Sequence, residues 1–269
     1  ASPRRPAFGS GRLGAEAMIS FTEAQALAWI APLLWPFLRA LALPTAMPLI
    51  GTRTVPLRVR IALAALVTVA LQASLAPMPA VALDSPAAFL LVLQQLLIGL
   101  SLGFAVRIVF SAIELAGEIV GLQMGLNFAG FFDPVTAAQT TATSRFYGAV
   151  IGWLFIVING HLLVIAALAG SFQAFPVGEQ PFAFLRHAQP QQWGALIFAT
   201  GLAIALPLAA MLLFVNLVLG VISRVAAQLN VFAIGFPLTV SAGLIGLLLT
   251  LPLLQQPFTA ALERMLALF

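Results

Sequence analysis

Six long apolar stretches follow one another along the chain and define its architecture. They lie near residues 24–50, 61–83, 87–110, 146–170, 193–222 and 231–254. An α-helix needs about 20 apolar residues to cross the ~30 Å hydrocarbon core of a bilayer. The pattern therefore predicts an all-α, polytopic membrane protein of kinked long helices and helical hairpins.

Two of these stretches contain residues that disturb a simple crossing. The first holds four prolines and Arg39, so we expect it to be kinked or packed against protein. The stretch 193–222 holds Pro207 near its middle, which predicts a kink or two half-helices. These two stretches are therefore predicted to form bent or interrupted helices.

Composition supports the membrane assignment and excludes several classes of chemistry. The chain has 269 residues, of which 62% are hydrophobic and only 7% charged, and its mean hydropathy is +1.09. Soluble domains carry about 25% charged residues. Without any cysteine or lysine, thiolate chemistry, Schiff bases and a Walker phosphate loop are excluded. Because the net charge of +4 comes from scarce acids, we expect no nucleic-acid partner, and we expect no metal or cofactor.

Charged residues also orient the first helices. The connection Gly51–Arg60 holds three arginines and no acid, which predicts a cytoplasmic position. The next connection, around Pro77–Pro86, holds only Asp84 and is predicted outside, as is the N-terminus. Residues 1–17 are rich in Arg, Gly, Pro and Ala, which is typical of a disordered leader; with Met18 as the natural start, this leader would be non-native.

A polar stripe interrupts the apolar pattern after residue 106. Arg107, Ser111, Glu114 and Glu118 are spaced three, four or seven residues apart and so share one helical face. Such a stripe should face protein or water, not lipid. The favoured interpretation is a salt-bridged packing seam formed by Arg107, Glu114 and Glu118.

Glycines at intervals of four predict close helix packing. Gly117, Gly121 and Gly125 form one such series, and Gly99 and Gly103 form another in the preceding helical stretch. Small residues at this spacing let a second backbone approach closely. We expect Gly99, Gly103, Gly117 and Gly121 to lie at helix contacts or at a subunit interface.

The segment that follows this polar stripe combines helix breakers with bulky apolar side chains. It runs from Gly121 to Pro134, and its notable residues are Met124, Gly125, Phe128, Gly130, Phe131 and Phe132. Irregular backbone at membrane depth is tolerated only against protein or beside a cavity. Two interpretations stay open on the residues alone: a buried re-entrant turn, or a hydrophobic constriction that closes a pore.

Enzymatic and stand-alone transport functions have weaker support. Gly99 to Gly103 matches the G-x-S-x-G string around Ser101, with His161 and His187 as conceivable partners, but the string lies inside an apolar helix. We therefore expect no enzyme. Residues 126–134 have a faint echo in 229–237, and paired broken segments can mark the substrate site of a small-molecule transporter.

Taken together, the motifs resemble the FliR family of bacterial flagellar export, which has a homologous branch (SctT) in virulence type III secretion. The resemblance covers nearly the whole chain from Met18. It rests on the order of several strings: Trp35 to Arg39 (WPFLR), Val55-Pro56, Gly121 to Ala129 with Phe132 to Pro134, Asn159 to His161, Ser171 with Pro176, and Arg224 to Pro237. One departure is Ala226-Ala227-Gln228, where the family has Ala-Pro-Gln.

The resemblance implies a subunit of a protein export gate. It implies one copy of this chain with FliP-like and FliQ-like subunits and an FlhB-like protein, in the inner membrane at the flagellar basal body. Unfolded flagellar proteins would pass through the gate.

Residues 18–190 would be a FliP-like part and 191–269 a FliQ-like hairpin with a C-terminal tail. Segment 121–134 would be the pore plug, with Met124, Phe128, Phe131 and Phe132 as plugging side chains. The alternative is a virulence secretion gate.

Overall fold

The computed structural model describes residues 23–52, 55–79, 81, 84–126, 141–178, 182, 184, 189, 191–225 and 231–269. Regular structure in these residues is helical throughout, which confirms the predicted all-α class. The α-helices whose bounds lie within these residues are α1 Glu23–Ala46, α2 Leu57–Leu71, α3 Pro86–Gln123, α4 Ala142–Val157, α5 Gly160–Ala174, α6 Gln191–Val225, α7 Val231–Thr250 and α8 Gln255–Leu266. Short 3-10 turns follow α2 (Gln72–Ser74) and α7 (Leu251–Leu254).

Helix α3 is the centre of the molecule and packs against α1, α4 and α6. Ser85 caps its start by accepting a hydrogen bond from the Ala88 N–H, at 3.2 Å, and Pro86 occupies the first turn. Ile98, Leu102 and Ile113 are fully buried or nearly so along its length. The predicted third stretch ended at residue 110, but α3 continues to Gln123 because its polar residues occupy only one face of an otherwise apolar helix.

Close contact between α1 and α3 depends on two glycines. A Cβ atom on Gly99 would lie 2.8 Å from the Ala42 Cβ, and one on Gly103 would lie 3.0 Å from the Ala46 Cβ. Such distances are shorter than real Cβ atoms tolerate, so the two backbones approach as closely as glycine permits.

The fourth predicted stretch is not a single helix. Helices α4 and α5 meet at an angle of 70°. Asn159 adopts left-handed backbone angles (φ 56°) between them, and the following Gly160 lies against the Phe155 ring. The stretch 146–170 is therefore two helices, which form either one broken span or a re-entrant loop, because the Asn-Gly pair makes a sharp turn in the middle of an apolar run.

The C-terminal region forms a long hairpin followed by an amphipathic helix. Helix α6 runs without a break through Pro207, so the predicted half-helices were wrong. One proline inside 35 residues removes one hydrogen bond and leaves both flanking turns helical. Helix α8 buries Phe258 and Leu262 completely, and Phe258 stacks edge-on against Phe110 of α3.

Several helices are long and apolar enough to cross a membrane. In the described part of the chain there are four, which contain α2, α3, α6 and α7 with α8, and up to five if α4 and α5 count as one broken span. Helix α1 is not among them and carries Arg39 and three prolines. The chain is thus a polytopic membrane protein with fewer candidate crossings than its six apolar stretches.

Candidate functional site

The C-terminal end of α3 leads directly into the predicted plug segment. The helix ends at Gln123, and Gly125 follows with φ 77°, a left-handed conformation that side chains disfavour. Residues 127–140 lie outside the described residues, and with them Phe128, Gly130, Phe131 and Phe132. The described structure therefore gives the start of this segment and, from Thr141, the chain that follows it.

Met124 anchors the first end inside the protein. Its side chain is fully buried, and a Cβ atom on Gly243 of α7 would lie 2.7 Å from its sulfur. The methionine therefore occupies the space that the missing side chain at Gly243 leaves free. In this conformation Met124 packs into the core, and a plugging role for it stays a prediction.

A second contact ties the same end to α6. The side-chain amide of Asn216 donates a hydrogen bond to the backbone oxygen of Gln123, at 3.2 Å. Since Gln123 is the last residue of α3, its carbonyl has no later helical turn to bond with. The start of the segment is thus contacted by α6, through Asn216, and by α7, through Gly243.

Glu118 holds Thr141, which lies seven residues beyond the end of this segment. Its carboxylate accepts a hydrogen bond from the backbone N–H of Thr141, at 3.0 Å. Thr141 in turn caps α4 by accepting from the Ser144 N–H, at 3.1 Å, and the Ser144 hydroxyl donates to the backbone oxygen of Glu114. These contacts bring the start of α4 against the last turns of α3.

Two glycines make this contact possible. A Cβ atom on Gly117 would lie 2.7 Å from the Cα of Ser144, and one on Gly121 would meet the hydroxyls of Thr141 and Thr143. We call this arrangement the clasp. It comprises the α3 residues Gly117, Glu118, Gly121, Gln123 and Met124 with Thr141, Ser144, Asn216 and Gly243.

Four glycines of the predicted series face helices of the same chain. Gly99 and Gly103 face α1, whereas Gly117 and Gly121 face the start of α4. The series thus build the tertiary fold around α3, and a contact with another subunit stays a prediction.

The residues of the predicted polar seam lie at two separate places along α3. Glu118 belongs to the clasp, whereas Arg107, Ser111 and Glu114 line an open cleft of about 430 Å³ beside the end of α1. Met47, Pro48, Gly51 and Thr52 form the opposite wall of this cleft. The two charged residues in the cleft are exposed, so the seam presents polar groups outwards from an apolar helix.

Arg39 forms a buried polar centre whose partners the sequence pattern did not reveal. Its side chain is fully buried, and its Nε donates to Gln95 Oε1 at 2.8 Å. One terminal nitrogen donates to the backbone oxygen and hydroxyl of Ser171, and the other to the backbone oxygen of Phe175. The guanidinium also lies 3.9 Å from the centroid of the Phe172 ring. Arg39 therefore joins α1, α3 and α5.

Neither competing function gains support from these positions. Ser101 lies within the continuous helix α3, not at the strand-to-helix turn that a catalytic G-x-S-x-G string requires. The later echo segment is helical from Val231, with Pro237 inside α7, so it is not a second broken segment over these residues.

Comparison with known proteins identifies extensive similarity. Residues 30–265 match the family described as bacterial export proteins, family 1. The chain is 42% identical over 241 residues to the flagellar biosynthetic protein FliR of Escherichia coli, covering 90% of this chain and 92% of that protein. It is 41% identical over 244 residues to FliR of Pectobacterium carotovorum, with the same coverage, and 29% identical over 240 residues to FliR of Bacillus subtilis.

Proposed function

Because the chain belongs to the FliR family of bacterial export proteins, we propose that it is a subunit of the flagellar type III protein export gate. In this role it transports proteins and catalyses no reaction. It acts in the bacterial inner membrane at the flagellar basal body. The observation that carries the proposal is the similarity to flagellar relatives over 90% of the chain.

The flagellar branch is favoured over virulence secretion. The relatives from Escherichia coli, Pectobacterium and Bacillus named above all carry flagellar names. The cargo proposed for this chain is accordingly unfolded flagellar protein and not a virulence effector.

The gate forms together with FliP-like and FliQ-like subunits, one copy of this chain being present in each gate, and an FlhB-like protein binds to it. Large apolar side chains on α6 and α7 support such contacts, because Phe214, Leu217 and Leu249 are more than 60% exposed. Apolar surface of this kind is covered by lipid or by neighbouring subunits. Residues 18–190 supply the FliP-like part and 191–269 the FliQ-like hairpin.

The clasp supports a plug role for segment 121–134. Its start is held by Met124 and Gln123, and Thr141, beyond its end, is held by Glu118. A loop with fixed ends can place its phenylalanines at one depth while its glycines let the middle move. Phe128, Phe131 and Phe132 close the idle pore, and passing cargo displaces them.

Extraction from native membranes tests the proposal. The chain, tagged at its C-terminus and extracted gently from cells that assemble flagella, should purify as a multi-subunit particle. Its mass and peptide composition should show one copy of this chain with several FliP-like and FliQ-like copies. A lone monomer or a simple homo-oligomer from such cells would overturn the export-gate function.

A further inference from the structure

An apolar groove lies between α1, α2 and α5, away from the clasp. Its volume is about 180 Å³, and its exposed lining is wholly apolar. Side chains from all three helices form its walls, among them Leu43, Met47, Ala64, Val67, Val164 and Leu168. A groove of this shape excludes polar ligands but accepts a hydrocarbon chain.

The groove runs along α1 and has two different ends. Ala40 and Leu168 lie at the end beside the buried Arg39 centre, since Arg39 bonds to Ser171 one turn beyond Leu168. Ile50 and His161 lie at the other end, where α1 gives way to the connection with α2. The groove therefore opens beside the arginine-rich connection Gly51–Arg60.

Arg60 stands at this open end. It precedes the groove residues Leu63, Ala64 and Val67 by three, four and seven positions, so it lies on the same face of α2. One terminal nitrogen donates to the backbone oxygen of Thr52. Its Nε is buried and has no hydrogen-bond partner among the described residues. The guanidinium is therefore available to a ligand through its terminal nitrogens.

Charge at the groove mouth defines the acceptor. Arg58 is exposed two residues before Arg60, and the connection from Gly51 to Arg60 contains no acidic residue. Glu114 faces Gly51 and Thr52 but lines the separate polar cleft, not the groove. An apolar groove with a cationic mouth, in a protein surrounded by lipid, matches the two halves of an anionic phospholipid.

We propose that this groove binds one anionic phospholipid. One acyl chain lies between α1, α2 and α5, and the headgroup phosphate pairs with the guanidinium of Arg60 through its terminal nitrogens, with Arg58 nearby. This inference depends on the location of the chain in a membrane and not on the export function. Either one can therefore be wrong without the other being wrong.

Native mass spectrometry of the tagged chain with its co-purifying subunits tests this site. Phosphatidylglycerol added to delipidated protein should remain at one molecule per chain after loosely bound lipid is removed. Ala64→Phe fills the groove and should abolish this retention. Arg60→Gln removes charged donors and should weaken it by about tenfold. The matched controls Leu66→Phe, on the exposed side of α2, and Arg224→Gln, at the end of α6, should retain the lipid.

Retention that Ala64→Phe and Arg60→Gln leave unchanged would overturn the proposal. Equal retention of phosphatidylcholine would overturn the assignment of Arg60 to an anionic headgroup. If Ala64→Phe fails to fold, phosphatidylglycerol with a photoreactive acyl chain, applied to the unmodified protein, decides the matter. Crosslinks to groove residues of α1, α2 and α5 support the site. Crosslinks confined to other surfaces, as expected if a subunit's side chain fills the groove, overturn it.

Discussion

At the residue scale, the buried Arg39 shows how a charge is accommodated without a carboxylate in its hydrogen-bond set. Its acceptors are the amide oxygen of Gln95, the hydroxyl of Ser171 and the backbone oxygens of Ser171 and Phe175. The planar guanidinium directs donors to three sides at once, which the single ammonium group of lysine cannot do. Arginine is therefore required here for its geometry as well as its charge.

We predict that Arg39→Lys destabilises the protein by about 3 kcal/mol or more, since buried hydrogen bonds to a charged group contribute about 1.5–3 kcal/mol each. Thermal unfolding of the purified protein, followed by fluorescence-detected size exclusion after heating, would measure the loss. Arg58→Lys, at an exposed position, is the control and should have little effect. An Arg39→Lys protein as stable as this control would contradict the role of the guanidinium geometry.

The sequence was informative about Arg39 only in part. An arginine among prolines in an apolar run indicated burial in protein, because lipid does not tolerate it. Its partners could not be predicted, since Ser171 lies 132 residues away and a serine in an apolar helix has no distinguishing pattern.

At the scale of helices, the glycines of α3 determine how closely its neighbours approach. We predict that Gly103→Ala destabilises the contact between α1 and α3 by about 1–3 kcal/mol, because the added methyl group meets the backbone oxygen of Leu43 and the Cβ of Ala46. The same heating assay would measure it. Gly220→Ala, in α6, is the matched control, since nothing lies within 4 Å of its added atom. Equal stability of the two variants would show that α1 can shift at no cost.

A second prediction concerns the attachment of the plug segment to α7. Gly243→Val should destabilise the protein because its side chain displaces Met124 from the pocket that it fills. Met124→Ala in the same chain should restore much of this loss, so the effects of the two changes should not be additive. A double-mutant cycle on unfolding temperature measures this coupling. Strict additivity would mean that the two residues do not share the space.

The sequence predicted helices more reliably than their ends. Apolar runs identified α3, α6 and α7, because membrane helices are defined by length and hydropathy. It misjudged the break between α4 and α5, where Asn159 turns the chain inside an apolar run, and overestimated the effect of Pro207. The turn at Asn159 and the helix through Pro207 both depend on tertiary contacts, and a hydropathy pattern carries no information about such contacts.

At the scale of the whole molecule, the clasp holds both Met124, near the start of the predicted plug, and Thr141, beyond its end, at the C-terminal end of α3. We predict that Phe128, Phe131 and Phe132 all changed to Ala leave assembly intact but make the membrane permeable to ions, because the bulky apolar side chains that close the pore are gone. Conductance across vesicles containing the assembled particle measures the leak. Phe89, Phe146 and Phe198, which are exposed on α3, α4 and α6, changed together to Ala serve as the control. Unaltered ion conductance in the assembled plug variant would contradict the plug hypothesis.

The Arg39 centre also has a consequence for how the protein is made. Arg39 lies in α1, whereas Ser171 follows 132 residues later and Phe175 136 residues later in the chain. At a synthesis rate of roughly 5–20 residues per second, about 7 to 26 seconds separate the arginine from these acceptors. During that interval the guanidinium of α1 lacks these acceptors, and lipid does not tolerate it unpaired. Its final packing must therefore wait until α5 has been made, so the first helix described here reaches its place only after a much later one.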